Sequence, residues 1–158
     1  DSWKFAIESK TPTVLVLTRQ NLPLIRDSIK NNTINKGAHA IIDYDNYQAT
    51  ILASGSEVEI ACECSNKLLE DNINVRVISF PSWEIFEKNS DEEKEKILGN
   101  KDLFAIEAGV INGWEKYVPS SNFIGMKSFG ASGPYKQLYE HFGITSEALY
   151  KLVIKKLG

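Results

Sequence analysis

The sequence predicts an α/β domain: a five-stranded mixed, mostly parallel sheet with helices on both faces. Short apolar runs at 38–42, 49–54, 75–79, 103–106 and 122–125 read as the strands. Segments of helical period lie between most of them, which is the alternation of a sheet covered on both sides. The strongest unit runs A-T-I-L-A-S-G-S-E-V-E-I-A-C-E-C-S-N-K-L-L (Ala49–Leu69) and on to Val75–Ser79. A strand, a glycine turn, a helix and a second strand of this length form a right-handed crossover between parallel strands.

Taken in order, Ser2–Ser9 has a short helix-like pattern through Trp3, Phe5, Ala6 and Ile7, which Pro12 ends. Val14–Leu17 is an unbroken apolar run, predicted as a strand buried on both faces. Polar residues Thr18-Arg19-Gln20-Asn21 and then Leu22-Pro23 follow its C-terminal end, where α/β folds place ligand-contacting loops. The stretch 27–37 is Asn-rich and poor in core-forming types, so it reads as a linker with a domain boundary near Lys36-Gly37.

Beyond that boundary, Ala38–Ile42 is a strand and Asp43-Tyr44-Asp45-Asn46 a turn cluster leading into Ala49. So short a connection predicts antiparallel pairing of the strands it joins. In the central helix, Ser56 and Glu59 have the spacing of a capping box. Val58, Ala61, Cys62, Ser65, Leu68 and Leu69 supply its apolar face. Asn72-Ile73-Asn74 breaks it.

Ser82 and Trp83 open a short helix to about Glu87. Ser90-Asp91-Glu92-Glu93 is a second capping box, with Glu92 and Lys96 paired one turn apart. Trp114, Tyr117 and Val118 suit a short amphipathic turn. Pro134 starts a helix to about His141, Gly143 stops it, and Thr145 caps the next. Leu149, Leu152, Val153 and Leu157 form the stripe of that last helix.

The bulk properties exclude several function classes. A chain of 158 residues with 42% hydrophobic and 25% charged residues can bury one substantial core. A net charge of -3 gives no basis for nucleic acid or an anionic membrane as partner. No apolar run approaches the roughly 20 residues of a membrane helix. Cys62 and Cys64 are two apart on one helix, face different directions and cannot bridge, which fits a reducing compartment. The chain opens Asp1-Ser2-Trp3, with Met126 as its one methionine, as a piece of a longer protein would.

The strand-end loops of the sheet are Ser54-Gly55-Ser56, Ser79–Ser82, Glu107-Ala108-Gly109 and Gly125-Met126-Lys127. They offer one carboxylate, Glu107, several hydroxyls and Lys127, but no histidine. His39 and His141 sit in an edge strand and near a helix end, where structural roles suffice. G-x-G-x-x-G, G-K-[ST], G-x-S-x-G and metal-ligand spacings do not occur. The six aromatics Trp83, Trp114, Tyr117, Tyr135, Tyr139 and Tyr150 suit core packing or an interface. Arg19 is different: a planar cation at a strand end suits a phosphate or carboxylate as well as an interdomain ion pair.

The motifs P-T-V-L-V-L-T-R-Q-N-L-P (Pro12–Pro23), A-S-G-S-E-V (Ala53–Val58), V-R-V-I-S-F-P-S-W-E-I-F (Val75–Phe86), E-A-G (Glu107–Gly109), F-G-A-S-G-P-Y (Phe129–Tyr135) and H-F-G-I-T (His141–Thr145) together resemble the transketolase family. The first resembles the end of the family's pyrimidine-binding domain and the others its C-terminal domain, with Gly133 where alanine is commoner. The resemblance implies residues 1–26 as the tail of the former, 27–37 as linker and 38–158 as the C-terminal domain. It implies a cytoplasmic homodimeric enzyme that uses thiamine diphosphate and Mg2+. Such an enzyme moves a two-carbon ketol unit from a ketose phosphate to an aldose phosphate.

By the same resemblance, Arg19 holds the substrate phosphate, and this chain carries no catalytic or cofactor-binding residue. It is expected inactive by itself. Alternatives are a stand-alone regulatory module with a small-molecule crevice near Gly55 and Glu107, or the matching domain of a 2-oxo-acid dehydrogenase or deoxyxylulose-phosphate synthase. Separated from its neighbouring strands, Val14–Leu17 is expected to pack on another copy or on the domain.

Overall fold

A computed structural model describes residues 1–25 and 33–158 of the chain. After helix α1 (Ser2–Glu8) come strands β1 (His39–Ile42) and β2 (Ala49–Ala53), helix α2 (Glu57–Glu70), and strand β3 (Val75–Ser79). Helices α3 (Trp83–Phe86) and α4 (Asp91–Leu98) lead to β4 (Asp102–Ile106) and β5 (Phe123–Ile124), and α5 (Tyr135–Phe142) and α6 (Ser146–Leu157) close the chain. The strands form one sheet in the order β1-β3-β2-β4-β5, with β1 antiparallel and the rest parallel. This is the mixed five-stranded sheet predicted from the apolar runs.

Alternation along the strands divides the core into two layers. Ala49, Ile51, Ala53, Val75, Val77, Phe104 and Ile106 face α2 and α6, meeting Val58, Ala61, Leu68, Leu149 and Val153. On the other face, Leu52, Ile78 and Ala105 meet Phe80, Phe86, Trp114, Val118 and Phe123. Trp114 and Phe80 pack edge to face with ring centroids 5.9 Å apart, so the aromatics at 80–117 are chiefly core. Ser65 ties α2 to the sheet by donating its hydroxyl to the Val75 carbonyl at 2.8 Å.

Several local expectations change. β1 pairs with β3, not with the β2 strand that follows it. Residues 43–48 form a connection long enough to pass the end of one intervening strand, since neighbouring strands lie only about 5 Å apart. The inward face of α2 carries Glu57, Val58, Ala61, Cys64, Ser65 and Leu68. Cys64 replaces the expected Cys62, which is half-buried, and Leu69 is 44% exposed. The predicted face was therefore placed slightly too far round the helix. Asn72, with φ 61°, ends the helix region as its sequence position suggested.

Caps behave unevenly. Thr145 accepts from the Ala148 amide at 3.1 Å, and Ser82 from the Ile85 amide at 3.3 Å. Half of the second capping box forms: Ser90 accepts from the Glu93 amide at 3.2 Å, while the Glu93 carboxylate turns to Lys36 at 2.8 Å. No Glu92–Lys96 ion pair forms; Lys94 on the same helix reaches Glu87 at 2.9 Å instead.

Of the predicted linker 27–37, residues 27–32 lie outside the described residues, and Thr33–Lys36 makes a 3-10 turn. Gly37 follows in a left-handed conformation (φ 73°), where an added Cβ would stand 2.3 Å from the Phe86 amide nitrogen. Only glycine allows the chain to enter the domain so close to α3. The apolar run Val14–Leu17 is neither a strand nor buried: Val14, Val16 and Leu17 are 84%, 92% and 73% exposed. Its sequence has the composition of a central strand, but no described strand pairs with it. Past this run, Gln20 reaches the domain through a side-chain hydrogen bond to Tyr139.

Candidate functional site

The parallel register brings the strand ends level. Ala53 of β2 stands opposite Ile106 of β4, so the next residues, Ser54 and Glu107, emerge side by side. The Ser54 hydroxyl donates to Glu107 Oε2 at 2.6 Å. Gly55, at φ 51°, turns the chain into α2, and Glu57 at the first position of that helix is only 3% exposed. Glu57 was not among the residues singled out by sequence. Its signal was the equal length of two parallel strands, each followed within four residues by a glutamate.

The Ser56–Glu59 capping box does not form. Ser56 already has helical backbone angles (φ -68°, ψ -25°), whereas a capping residue needs extended backbone to aim its oxygen at the next turn. Its hydroxyl instead donates to Glu57 Oε1 at 2.7 Å. Tyr139 of α5 donates to the same oxygen at 2.5 Å. Gln20 Nε2 in turn donates to the Tyr139 hydroxyl at 3.3 Å. Tyr139 had looked like packing or interface; its hydroxyl is the join between three segments distant in sequence.

Electrostatically this cluster is a buried acid pair. Burial, a hydrogen bond with Glu57 and the repulsion of that second carboxylate push Glu107 up to about 7, opposed by the Ser54 hydroxyl. Glu107 therefore keeps its proton to well above the usual carboxylate range. Burial and the bond to Glu57 also raise the Tyr139 hydroxyl, keeping it a donor. Both carboxyls lie beside the glycine turn that opens α2, bonded to the hydroxyls of Ser54, Ser56 and Tyr139.

The other candidate loops do not converge on the cluster. Ser82 is occupied in capping α3. Lys127 lies beyond β5 in a different hollow of about 380 Å³, beside Gly125 and His141. His141 packs its ring edge on Phe142 at 4.8 Å, and His39 sits in β1 opposite Ser79. Cys64 is fully buried and its thiol is pushed up to about 12 by burial, so it is a packing residue. Among the described residues no group of three His, Cys, Asp or Glu could hold a metal ion. None of the described helices is long and apolar enough to cross a membrane.

Arg19 lies on the exposed N-terminal segment and makes no ion pair with a described residue. Its neighbours are held: the Gln20 amide donates to Thr18 Oγ1 at 3.1 Å, and the Gln20 side chain reaches Tyr139. A cleft of about 590 Å³ opens between Gln20–Pro23 and the faces of α2 and α5, with Ser56, Ile60 and Tyr135 on its walls.

A five-stranded sheet of this order, with a glycine turn between β2 and α2, defines a small α/β accessory domain. Residues 37–145 match the transketolase-like TK C-terminal domain, and the chain belongs to that family. A chloroplastic transketolase of Spinacia oleracea is 43% identical over 157 residues, covering 94% of this chain and 21% of the relative. A Leishmania mexicana transketolase structure superposes with a TM-score of 0.85 at 39% identity, over 95% of this chain and 22% of that one. The transketolase of Pichia stipitis in complex with sedoheptulose-7-phosphate gives a TM-score of 0.88 at 33% identity, over 99% and 23%. The chain thus spans about a quarter or less of the length of these relatives.

Proposed function

We propose that this chain is the C-terminal part of a transketolase. The whole enzyme transfers a two-carbon ketol unit from a ketose phosphate to an aldose phosphate, as a cytoplasmic homodimer using thiamine diphosphate and Mg2+. The family match over 37–145 carries this reading, and the sugar phosphate bound by the Pichia stipitis relative supports the substrate class. In this reading residues 1–26 end the pyrimidine-binding domain, 27–37 link, and 38–158 form the C-terminal domain. Val14–Leu17 then finds its neighbouring strands in the preceding domain, which accounts for an apolar run left exposed here.

In the whole enzyme, the electron-sink chemistry of ketol transfer would come from thiamine diphosphate held outside this chain. The turn in this chain that most resembles a phosphate cradle has Glu57 and Glu107 beside it, and two carboxyls disfavour a diphosphate there. What this chain contributes is Arg19, whose guanidinium can meet two oxygens of the substrate phosphate at once. That contact orients the substrate from its far end.

Titration calorimetry of the chain with thiamine diphosphate and Mg2+ tests the division of labour. The expected result is no binding heat and no ketol transfer by the chain, with transfer restored in the full-length enzyme. Micromolar cofactor binding by the chain alone would overturn it.

A further inference from the structure

The Tyr139 hydroxyl sits where the N-terminal segment meets the acid cluster. It donates to Glu57 Oε1 at 2.5 Å, so its proton is committed to a carboxylate that is itself 3% exposed. That leaves its oxygen lone pairs to accept, and Gln20 Nε2 is one of the donors, at 3.3 Å. The ring is held as well, edge-on to Tyr135 with centroids 5.8 Å apart. Glu57 begins α2, which Val58 and Ala61 fix in the core. The hydroxyl is therefore a fixed point of the domain, and the Gln20 side chain reaches it.

On that segment Arg19 is flanked by restraints. Thr18 Oγ1 accepts from the Gln20 amide at 3.1 Å, which closes the backbone around Arg19. The Gln20 side chain then ties this turn to Tyr139. Val14, Val16 and Leu17 ahead of it are exposed, and the Gln20–Tyr139 bond joins this turn to the domain. A recognition residue on a mobile loop loses affinity to the ordering it must undergo, and a supporting shell restores it.

We infer that Tyr139 is a positioning residue for phosphate recognition: through Gln20 it holds the Arg19 turn in place against the C-terminal domain. This rests on the reading of Arg19 as the phosphate ligand. It gives the C-terminal domain a part in substrate affinity without any of its side chains touching the substrate.

The test uses the full-length enzyme carrying Tyr139→Phe, which removes one oxygen and keeps the ring against Tyr135. KM for a ketose phosphate should rise about 3- to 10-fold, the effect of one hydrogen bond, with kcat within about twofold. KM for hydroxypyruvate, a donor with no phosphate, should not move. Gln20→Ala leaves the core untouched and should give the same selective rise, and the double variant should add nothing further.

Arg19→Ala in the same assays separates the two possible failures. If it raises KM for the ketose phosphate selectively while Tyr139→Phe and Gln20→Ala do not, the tether is overturned and the phosphate reading stands. If Arg19→Ala shows no selectivity, the phosphate reading falls and the inference with it. An equal rise for both donors in Tyr139→Phe would mark a general structural role and also overturn the inference.

Discussion

The sheet domain and the segment ahead of it are built from equally apolar material, with opposite outcomes. Ile51, Leu52 and Ala53 are fully buried because β3 and β4 flank them and helices cover both faces. Val14, Val16 and Leu17 have similar composition but no described strand beside them, and they remain exposed. A hydrophobic run therefore specifies a buried strand only where the chain also supplies its neighbours. The proposed functional contact, Arg19, sits in the region whose neighbours this chain does not supply. The well-packed region supports it from behind.

Truncating one side chain in each region gives the sharpest contrast. Trp114→Ala removes a fully enclosed ring packed on Phe80 and Trp83, and unfolding free energy should fall by about 3–5 kcal/mol. Val16→Ala should change it by less than about 0.5 kcal/mol. Urea denaturation of the chain measures both, and comparable losses would mean that the segment is packed in solution.

An intermediate effect is expected where the two regions meet. Glu107 is raised from 4.5 to about 7 in the folded chain, so between those values the folded state holds more protons than the unfolded one. Its stabilisation is fully present below pH 4.5 and is lost as pH rises through about 7. Glu107→Gln keeps a neutral donor for Glu57 without that titration. The variant should match the parent near pH 5 and exceed it by about 1–3 kcal/mol at pH 8 in thermal or urea melts. Parallel curves across that range would show that Glu107 does not retain its proton.

The fold was largely legible because its signals are local and cooperative. The strand–helix–strand pattern of 49–79, the Thr145 cap and the Gly143 stop each reappear in the structure. Strand order was less legible: the partner of β1 depends on which edge is free when the sheet assembles, and connection length alone does not set it. The acid cluster was half legible. Glu107 and the serines were visible as strand-end residues, whereas Glu57 and Tyr139 come together only through strand register and the docking of α5. The Ser56–Glu59 spacing misled because a buried carboxylate one residue away competed for the same hydroxyl.

Arg19 offers the most direct measurement, since the whole functional reading of this chain converges on its guanidinium. The assay compares the full-length enzyme with its Arg19→Ala variant, using a ketose phosphate and hydroxypyruvate as donors. Loss of a bidentate, charge-assisted contact should remove on the order of 2–3 kcal/mol, or roughly 30- to 150-fold in kcat/KM for the ketose phosphate. Most of that should appear in KM, because the phosphate is remote from the reacting carbons and binds alike in ground and transition states. Arg19→Lys should recover only part of it. Hydroxypyruvate should be used almost as well as by the parent enzyme; equal losses on both donors would make Arg19 a structural ion-pair partner and contradict the account.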